Sequence, residues 1–185
     1  MDKNEFNIAN GFFSNVTINT SPNKNSRPDP SDIRLIIIHN ISLPPNQFGG
    51  SYVDDFFCNK LKKEDHPYFE EIHQLKVSSH LFIKRNGDIT QFVPFHERAW
   101  HAGVSTYKGQ DNCNDFSIGI ELEGADDIPY TPEQYQQLTR CCEALIEHHP
   151  LLNTDNITGH SDVSPDRKTD PGESFDWGFI EKLSN

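Results

Sequence analysis

The run from Arg34 to His39, RLIIIH, constrains the fold more than any other segment. Its four consecutive aliphatic residues show no polar alternation, and a strand with that pattern is apolar on both faces. Such a strand belongs at the centre of a sheet that other elements cover on each side. It also ends in a histidine, so a rigidly held backbone delivers an imidazole to the sheet edge, as a preorganised ligand requires.

The neighbouring patterns say what surrounds it. Ser117 to Glu123 (SIGIELE) alternates strictly, with Ile118, Ile120 and Leu122 on a core face and Gly119, Glu121 and Glu123 on a face predicted to be wet or catalytic. Val77–Lys84 and Asp88–Val93 flank Asn86-Gly87, a dipeptide suited to two positive φ angles in a tight hairpin. After a Pro-Pro and Gly-Gly loop, Ser51 with Asp54 is placed to cap a short helix carrying Val53, Phe56, Phe57 and Leu61. A longer helix is predicted from Thr131, with Pro132 in its first turn and Gln134 completing a T-x-x-Q capping box, to a stop at Pro150. A last amphipathic segment covers Ser174 to Leu183.

Strands interspersed with helices predict an α/β fold: one domain, with a mixed central β-sheet and helices packed on its faces. At 185 residues the chain fits a single domain, and its 13 phenylalanines can fill a core. Residues 1–32, rich in Asn, Ser and Pro, are predicted to form an arm or loop packed on a domain spanning 33–185. A net charge of −12 with scattered Lys and Arg argues against a nucleic-acid partner. The start MDKNEFNIANGFF has no basic, apolar leader pattern, and the longest aliphatic run is too short to cross a bilayer, so membrane insertion is not expected and the cytoplasm is the default compartment. Cys58, Cys113, Cys141 and Cys142 lack C-x-x-C spacing and read as buried thiols in a reducing setting, with a Cys58–Cys113 disulfide left open. A monomer is expected.

Among nine histidines, His39 and His160 occupy places where a ring can project into a cleft. His160 opens the loop GHSDVSPDRKTDPG, which reaches Asp170 ten residues later. Two histidines and one carboxylate suit catalytic zinc, because three protein ligands leave a fourth tetrahedral position for water. The spacing alone is a weak signal: Asp162 and Asp166 compete as carboxylates, and a lone histidine is as readily a hydrogen-bonded core group. Lys168, two residues before Asp170, is placed near such a metal if the loop is extended, though an exposed lysine needs no such role. Glu121 is the candidate general base. Glu121 and Glu123 together also admit an inverting-glycosidase reading, disfavoured because parallel side chains from one strand do not flank a bond from opposite sides. Trp100 and His101, in RAWHAG, are candidates for an aromatic wall and a polar contact to a sugar or peptide; His80 reads as a structural strand residue.

From Arg34 to Trp177 the segments IIHNISLPP, FGG, SSHLFIKRNGDITQFVPF, RAWHAGVS, CNDFSIGIELEG, YTPEQYQQL and TGHSDVSPDRKTDPG resemble the zinc N-acetylmuramoyl-L-alanine amidases, in particular their cytoplasmic branch acting on anhydro-muramoyl peptides. The resemblance implies one Zn²⁺ held by His39, His160 and Asp170, with Glu121 and Lys168 completing the catalytic group. It implies a small muropeptide substrate, cut between the lactyl group and L-alanine in peptidoglycan recycling, with Asn40 and Trp100 lining its cleft. Asp170, where secreted and phage relatives carry Cys, fits the cytoplasmic branch. Lys76 and Asn112 depart from the family's arginines at positions that meet stem-peptide carboxylates; Lys76 keeps the charge without the two-pronged grip and Asn112 loses it. The alternative from another class is a peptidoglycan-recognition module of the same fold that binds muropeptide without cutting it, and a second is a structural zinc site in an interaction domain.

Overall fold

The computed structural model describes residues 6–183; residues 1–5 of the predicted arm lie outside them. The rest of that arm carries short strands: β1 (Ile8–Ala9) pairs with β2 (Phe12–Phe13), β3 (Thr17–Ile18) joins the main sheet, and β4 (Lys24–Ser26) pairs with β8 (Glu97–Ala99), while farther along the chain β9 (Thr106–Tyr107) pairs with β10 (Gln110–Asp111). Phe13 is buried in the main core, so this segment is packed on the domain through its aromatic anchor.

The aliphatic run becomes β5 (Leu35–Ile41), an interior strand covered on both faces as its composition demands, though it lies second from one edge and not at the centre of the sheet. The six-stranded sheet has the order β12-β5-β11-β6-β7-β3, with β6 at Leu81–Ile83, β7 at Ile89–Gln91, β11 at Ser117–Glu123 and β12 at Ile157–Gly159. Neighbours from β12 through β6 run parallel, β6 and β7 are antiparallel, and β3 is parallel to β7. The sheet is therefore mixed.

Helices cover both faces. Helix α3 (Pro132–His148) lays Tyr135, Leu138, Cys142 and Leu145 against Ile36, Ile38, Ile118, Ile120 and Leu122. Each such aliphatic side chain removed from water contributes about 1.5–3 kcal/mol, which far exceeds any helix-propensity term and fixes the helix to that face. The capping box forms as predicted: Thr131 Oγ1 accepts from the Gln134 amide at 3.1 Å and Gln134 Oε1 accepts from the Thr131 amide at 3.1 Å. Gln134 Nε2 then donates to the carbonyls of Ile83 and Glu123, tying the helix start to the ends of β6 and β11. On the opposite face lie α1 (Tyr52–Phe57), the short α2 (Phe69–Ile72) and a cluster of Leu35, Ile37, Ala102, Cys113, Phe116 and Val163.

Several local expectations change. The second face of β11 is not wet: all seven of its residues are buried, because the segment after β8 and the loop after α4 (His160–Val163) fold over it. Asn86 does not take a positive φ; among the hairpin residues only Gly87 does, at +86°. The bonds Gly87 N to Lys84 O (2.8 Å) and Lys84 N to Asp88 O (2.9 Å) make a longer loop that closes with a glycine bulge. The strands beside it are short, since the Ser78 and His80 amides bond to Trp100 and Gly119 and not to one continuous partner. Ser51 does not cap α1 with its side chain; its hydroxyl donates to Asp55 Oδ2 at 3.0 Å. The C-terminal segment forms only a single turn of helix, α5 (Gly178–Glu181). All four cysteines are free and buried, which closes the question of a Cys58–Cys113 bridge.

Candidate metal centre and cleft

The site stands at the carboxyl ends of β5, β11 and β12, where parallel strands leave a crevice. Register decides what meets there. Glu121 of β11 sits beside His39 of β5, so both side chains leave the same face of the sheet. Gly159, the last residue of β12, pairs with Ile38, which puts His160 one residue beyond and level with His39. The loop after α4 returns so that the Ser161 amide donates to Asp170 O at 2.9 Å, which brings the carboxylate back over the two rings.

His39 Nδ1, His160 Nδ1 and Asp170 Oδ2 converge: the rings are 2.9 Å apart at these atoms, and the carboxylate oxygen is 3.1 Å from the first and 3.0 Å from the second. This is a donor set that can hold one metal ion. Burial pushes the His39 imidazole down to about 4 in spite of Asp170, while His160 and Lys168 add to the depression. Burial works to raise the Asp170 carboxyl, yet hydrogen bonding with His160 and His39 holds it well below its ordinary range.

Glu121 is 8% exposed, its Oε2 has no hydrogen-bond partner, and burial followed by the charge of Asp170 pushes its carboxyl well above the usual carboxylate range, with Lys168 pulling the other way. An orphaned, buried carboxylate at a cleft wall is an unusual expense in stability that a site can explain. The cleft, about 670 Å³, falls in the range of small-molecule sites. Its lining includes His39, His160, Asp170, Glu121 and Lys168, with an apolar arm of Phe57, Tyr68, Ile72, Leu75, Val77 and Trp100.

The remaining sequence candidates divide. Asn40 lines the cleft, and its Nδ2 donates to Asp126 Oδ1 (2.8 Å) and Pro171 O (3.1 Å), bracing the loop that carries Asp170. Trp100 lines it too, with its indole N–H donating to Asn25 Oδ1 at 2.7 Å. His101 touches the cleft, but both ring nitrogens are already engaged, Nδ1 with His39 Nε2 at 2.9 Å and Nε2 with Ser117 Oγ at 3.2 Å. Lys76 is exposed at the rim between the lining residues Leu75 and Val77. Asn112 is exposed and does not line the cleft: its amide donates to Ser105 O at 3.0 Å, folding the loop back as a left-handed turn (φ 61°). Glu123 is away from the reacting groups, accepting from the Gly49 amide at 2.5 Å and the Arg85 amide at 3.0 Å, which removes the paired-carboxylate reading. Among groups the sequence did not single out, the Ala102 carbonyl faces His160 Nε2 at 3.0 Å, and Arg167 Nη2 donates to that carbonyl at 2.6 Å. A backbone carbonyl leaves no sequence signal; Arg167, next to Lys168, could have been weighed on position alone.

A family model described as N-acetylmuramoyl-L-alanine amidase matches residues 29–173. The chain belongs to that family. The 1,6-anhydro-N-acetylmuramyl-L-alanine amidase AmpD of Haemophilus influenzae is 52% identical over 170 residues, 92% of each chain. AmpD of Escherichia coli K12 is 54% identical over 163 residues, 88% of each. A crystal structure of a selenomethionine AmpD derivative superposes with a TM-score of 0.93 at 48% identity, covering 96% of this chain and 99% of that one. AmiD of E. coli, solved with anhydro-N-acetylmuramic acid-L-Ala-D-γ-Glu-L-Lys, shares 30% identity with a TM-score of 0.59 over 82% of this chain and 57% of its own. This amidase is thus a hydrolase of cell-wall material, with the sheet and helix arrangement of its relatives.

Proposed function

We infer that the amidase cleaves the amide between the lactyl group of 1,6-anhydro-N-acetylmuramic acid and L-alanine of the stem peptide, in peptidoglycan recycling. The identity of half or more to two amidases bearing the anhydro name, over about nine-tenths of each chain, supports that substrate. The observation that carries the chemistry is the convergence of His39 Nδ1, His160 Nδ1 and Asp170 Oδ2.

That convergence fits a cation. With His39 neutral near pH 7 and Asp170 ionised, the cluster holds three lone-pair atoms within 3.1 Å of one another. One shared proton can serve only one of those contacts at a time, whereas a single divalent ion serves all three. Two imidazoles and one carboxylate are a zinc donor set, and zinc bound there would supply a Lewis acid and a water that ionises near a pKa of about 7.

Glu121 is the residue poised to move the proton. Its unpartnered Oε2 can take a proton from the attacking water, and burial, which favours the protonated form, lets it then deliver that proton to the departing alanine nitrogen. Lys168 lies on the same loop as Asp170, and its ammonium offsets the negative charge that builds on the former carbonyl oxygen. Asn40, braced across the Asp170 loop, and Trp100 on the apolar arm hold the muramoyl peptide, and Lys76 at the rim offers a point charge to a stem-peptide carboxylate. Every group in this scheme comes from one chain, so a monomer suffices. Four free thiols suit the cytoplasm, and no helix among the described residues is long and apolar enough to cross a membrane.

The test is hydrolysis of an anhydro-muramoyl tripeptide followed by mass spectrometry, before and after chelation. Chelation should abolish cleavage and one equivalent of Zn²⁺ should restore it. A protein that binds zinc and muropeptide yet releases no free peptide would be a recognition module, and cleavage that survives complete metal removal would end the zinc reading.

A further inference from the structure

Two histidine rings can meet a metal through Nδ1 only if each carries its proton on Nε2, and something must hold each proton there. For His160 the nearest partner is the Ala102 carbonyl at 3.0 Å, which can only accept; Arg167 Nη2 lies farther from that nitrogen, at 3.4 Å, and donates to the same carbonyl at 2.6 Å. For His39 the atom facing Nε2 is His101 Nδ1, at 2.9 Å, with the two rings nearly perpendicular. If that nitrogen accepts, the proton of His101 sits on its own Nε2, where Ser117 Oγ is 3.2 Å away. The two supports are consecutive residues. Their backbone is pinned by one side chain: Asn114 Oδ1 accepts from the His101 amide at 3.1 Å and the Ala102 amide at 2.8 Å, and Asn114 itself is buried.

We propose that His101 and Ala102, held by Asn114, are a shared outer support that fixes the metal-binding tautomer of both histidine ligands, with His101 a positioning residue acting through His39 and not a contact to the substrate. The strand beneath is shaped for it. A Cβ at Gly119 would lie 2.5 Å from His101 Cγ, so only glycine lets the ring lie flat on β11 with its edge turned to His39. Ser117, two residues earlier on the same face of that strand, then receives the far end of the ring. The chain of contacts runs from Ser117 through His101 and His39 to the ligand atom, and it explains why a polar Ser and a bare Gly occupy a strand whose other face is wholly aliphatic.

The inference rests on the zinc amidase reading, and its experiment separates the two. Zinc affinity is measured by chelator competition on the metal-free parent, His101→Phe, His101→Asn and Asn114→Ala, with folding of each checked by circular dichroism. Phenylalanine keeps the ring's bulk without an acceptor, and asparagine offers a side-chain oxygen at about the place of Nδ1. His101→Phe should bind zinc roughly 10- to 100-fold more weakly, the usual cost of losing an outer-sphere partner. His101→Asn should recover most of that loss, and Asn114→Ala should weaken zinc without touching either ring. At saturating zinc the KM of His101→Phe should match the parent. In the zinc-loaded parent, nitrogen-15 spectra should place the protons of His39 and His101 on Nε2. Parent zinc affinity in His101→Phe together with a raised KM would overturn the proposal and return His101 to the cleft wall, as would a proton on His101 Nδ1. A parent that binds no zinc would instead defeat the function reading itself.

Discussion

The two faces of the central strand pair are built on opposite rules. Toward α3, Ile36, Ile38, Ile118, Ile120 and Leu122 form a continuous apolar layer. The other face of the same strands starts with Leu35 and Ile37, clustered with Phe116 and Val163, but beside and beyond them it presents His39, Ser117, Gly119, Glu121 and Glu123, all buried and all polar or bare. On the first face stability scales with area removed from water, and the layer depends on volume and not on which aliphatic residue supplies it. On the second, each polar group needs a particular partner, and the one left without any, Glu121 Oε2, belongs to the group proposed to move the proton. Burial therefore says little about role here; what separates the faces is whether a buried atom's partner is generic or specific.

Substitutions on each face can sharpen or break that contrast. The largest effect is expected from Glu121→Ala, which should lower turnover by about 10²- to 10⁴-fold while zinc binding survives; wild-type kcat in this variant would erase the distinction for Glu121. His39→Ala should instead lose the metal, read as zinc content after dialysis. On the apolar face, Ile120→Ala, one position away along the same strand, should cost about 2–5 kcal/mol in urea unfolding yet leave kcat per folded molecule unchanged. Gly119→Ala, on the cleft face, should cost about 1–3 kcal/mol from overpacking against His101. Unlike Ile120→Ala it should also weaken zinc, and equal zinc affinity in the two variants would show the faces to be less distinct than they look.

The smallest effect concerns protons. His80 is fully buried, its Nδ1 accepts from the Gly119 amide at 3.1 Å, and burial, with the nearby charges of Arg27 and His149, holds its pKa well below 6.5. The folded protein keeps this ring neutral while the unfolded chain protonates it below about pH 6.5. Its contribution to stability is thus present above that pH and is lost as pH falls toward the depressed folded value, at up to about 1.4 kcal/mol per pH unit. Urea unfolding of the metal-free protein between pH 7.5 and 5.5 should show this slope added to those of His39, His101 and His149, which burial also depresses, and His80→Asn, which keeps an acceptor but no titrating group, should reduce it by His80's share. An unchanged slope would place the proton uptake elsewhere.

The sequence was most readable where a local pattern had a single structural solution. The β-branched run had to form an interior strand covered on both faces, T-x-x-Q with Pro132 had to start a helix, and both did. It was least readable where a residue's outcome depends on a distant neighbour. Asn86-Gly87 marks a tight turn, but the loop that formed was set by how β6 and β7 met. Glu123 shares the alternation of Glu121, yet the amides of Gly49 and Arg85 claim it.

By itself, then, the order of residues determined four of the main sheet's six strands (β5, β6, β7 and β11), the long helix and the family, because periodicity, capping chemistry and shared motifs are carried by neighbours along the chain; β3 and β12, too short to carry a pattern, were not legible. Only the folded molecule decided that His39, His160 and Asp170 meet within 3.1 Å, that Asn112 stands off the cleft, and that His101 turns toward His39. The physical reason is that these contacts join residues as far as 131 positions apart, across strands whose register is set by the whole sheet and over a glycine whose importance lies in what rests on it.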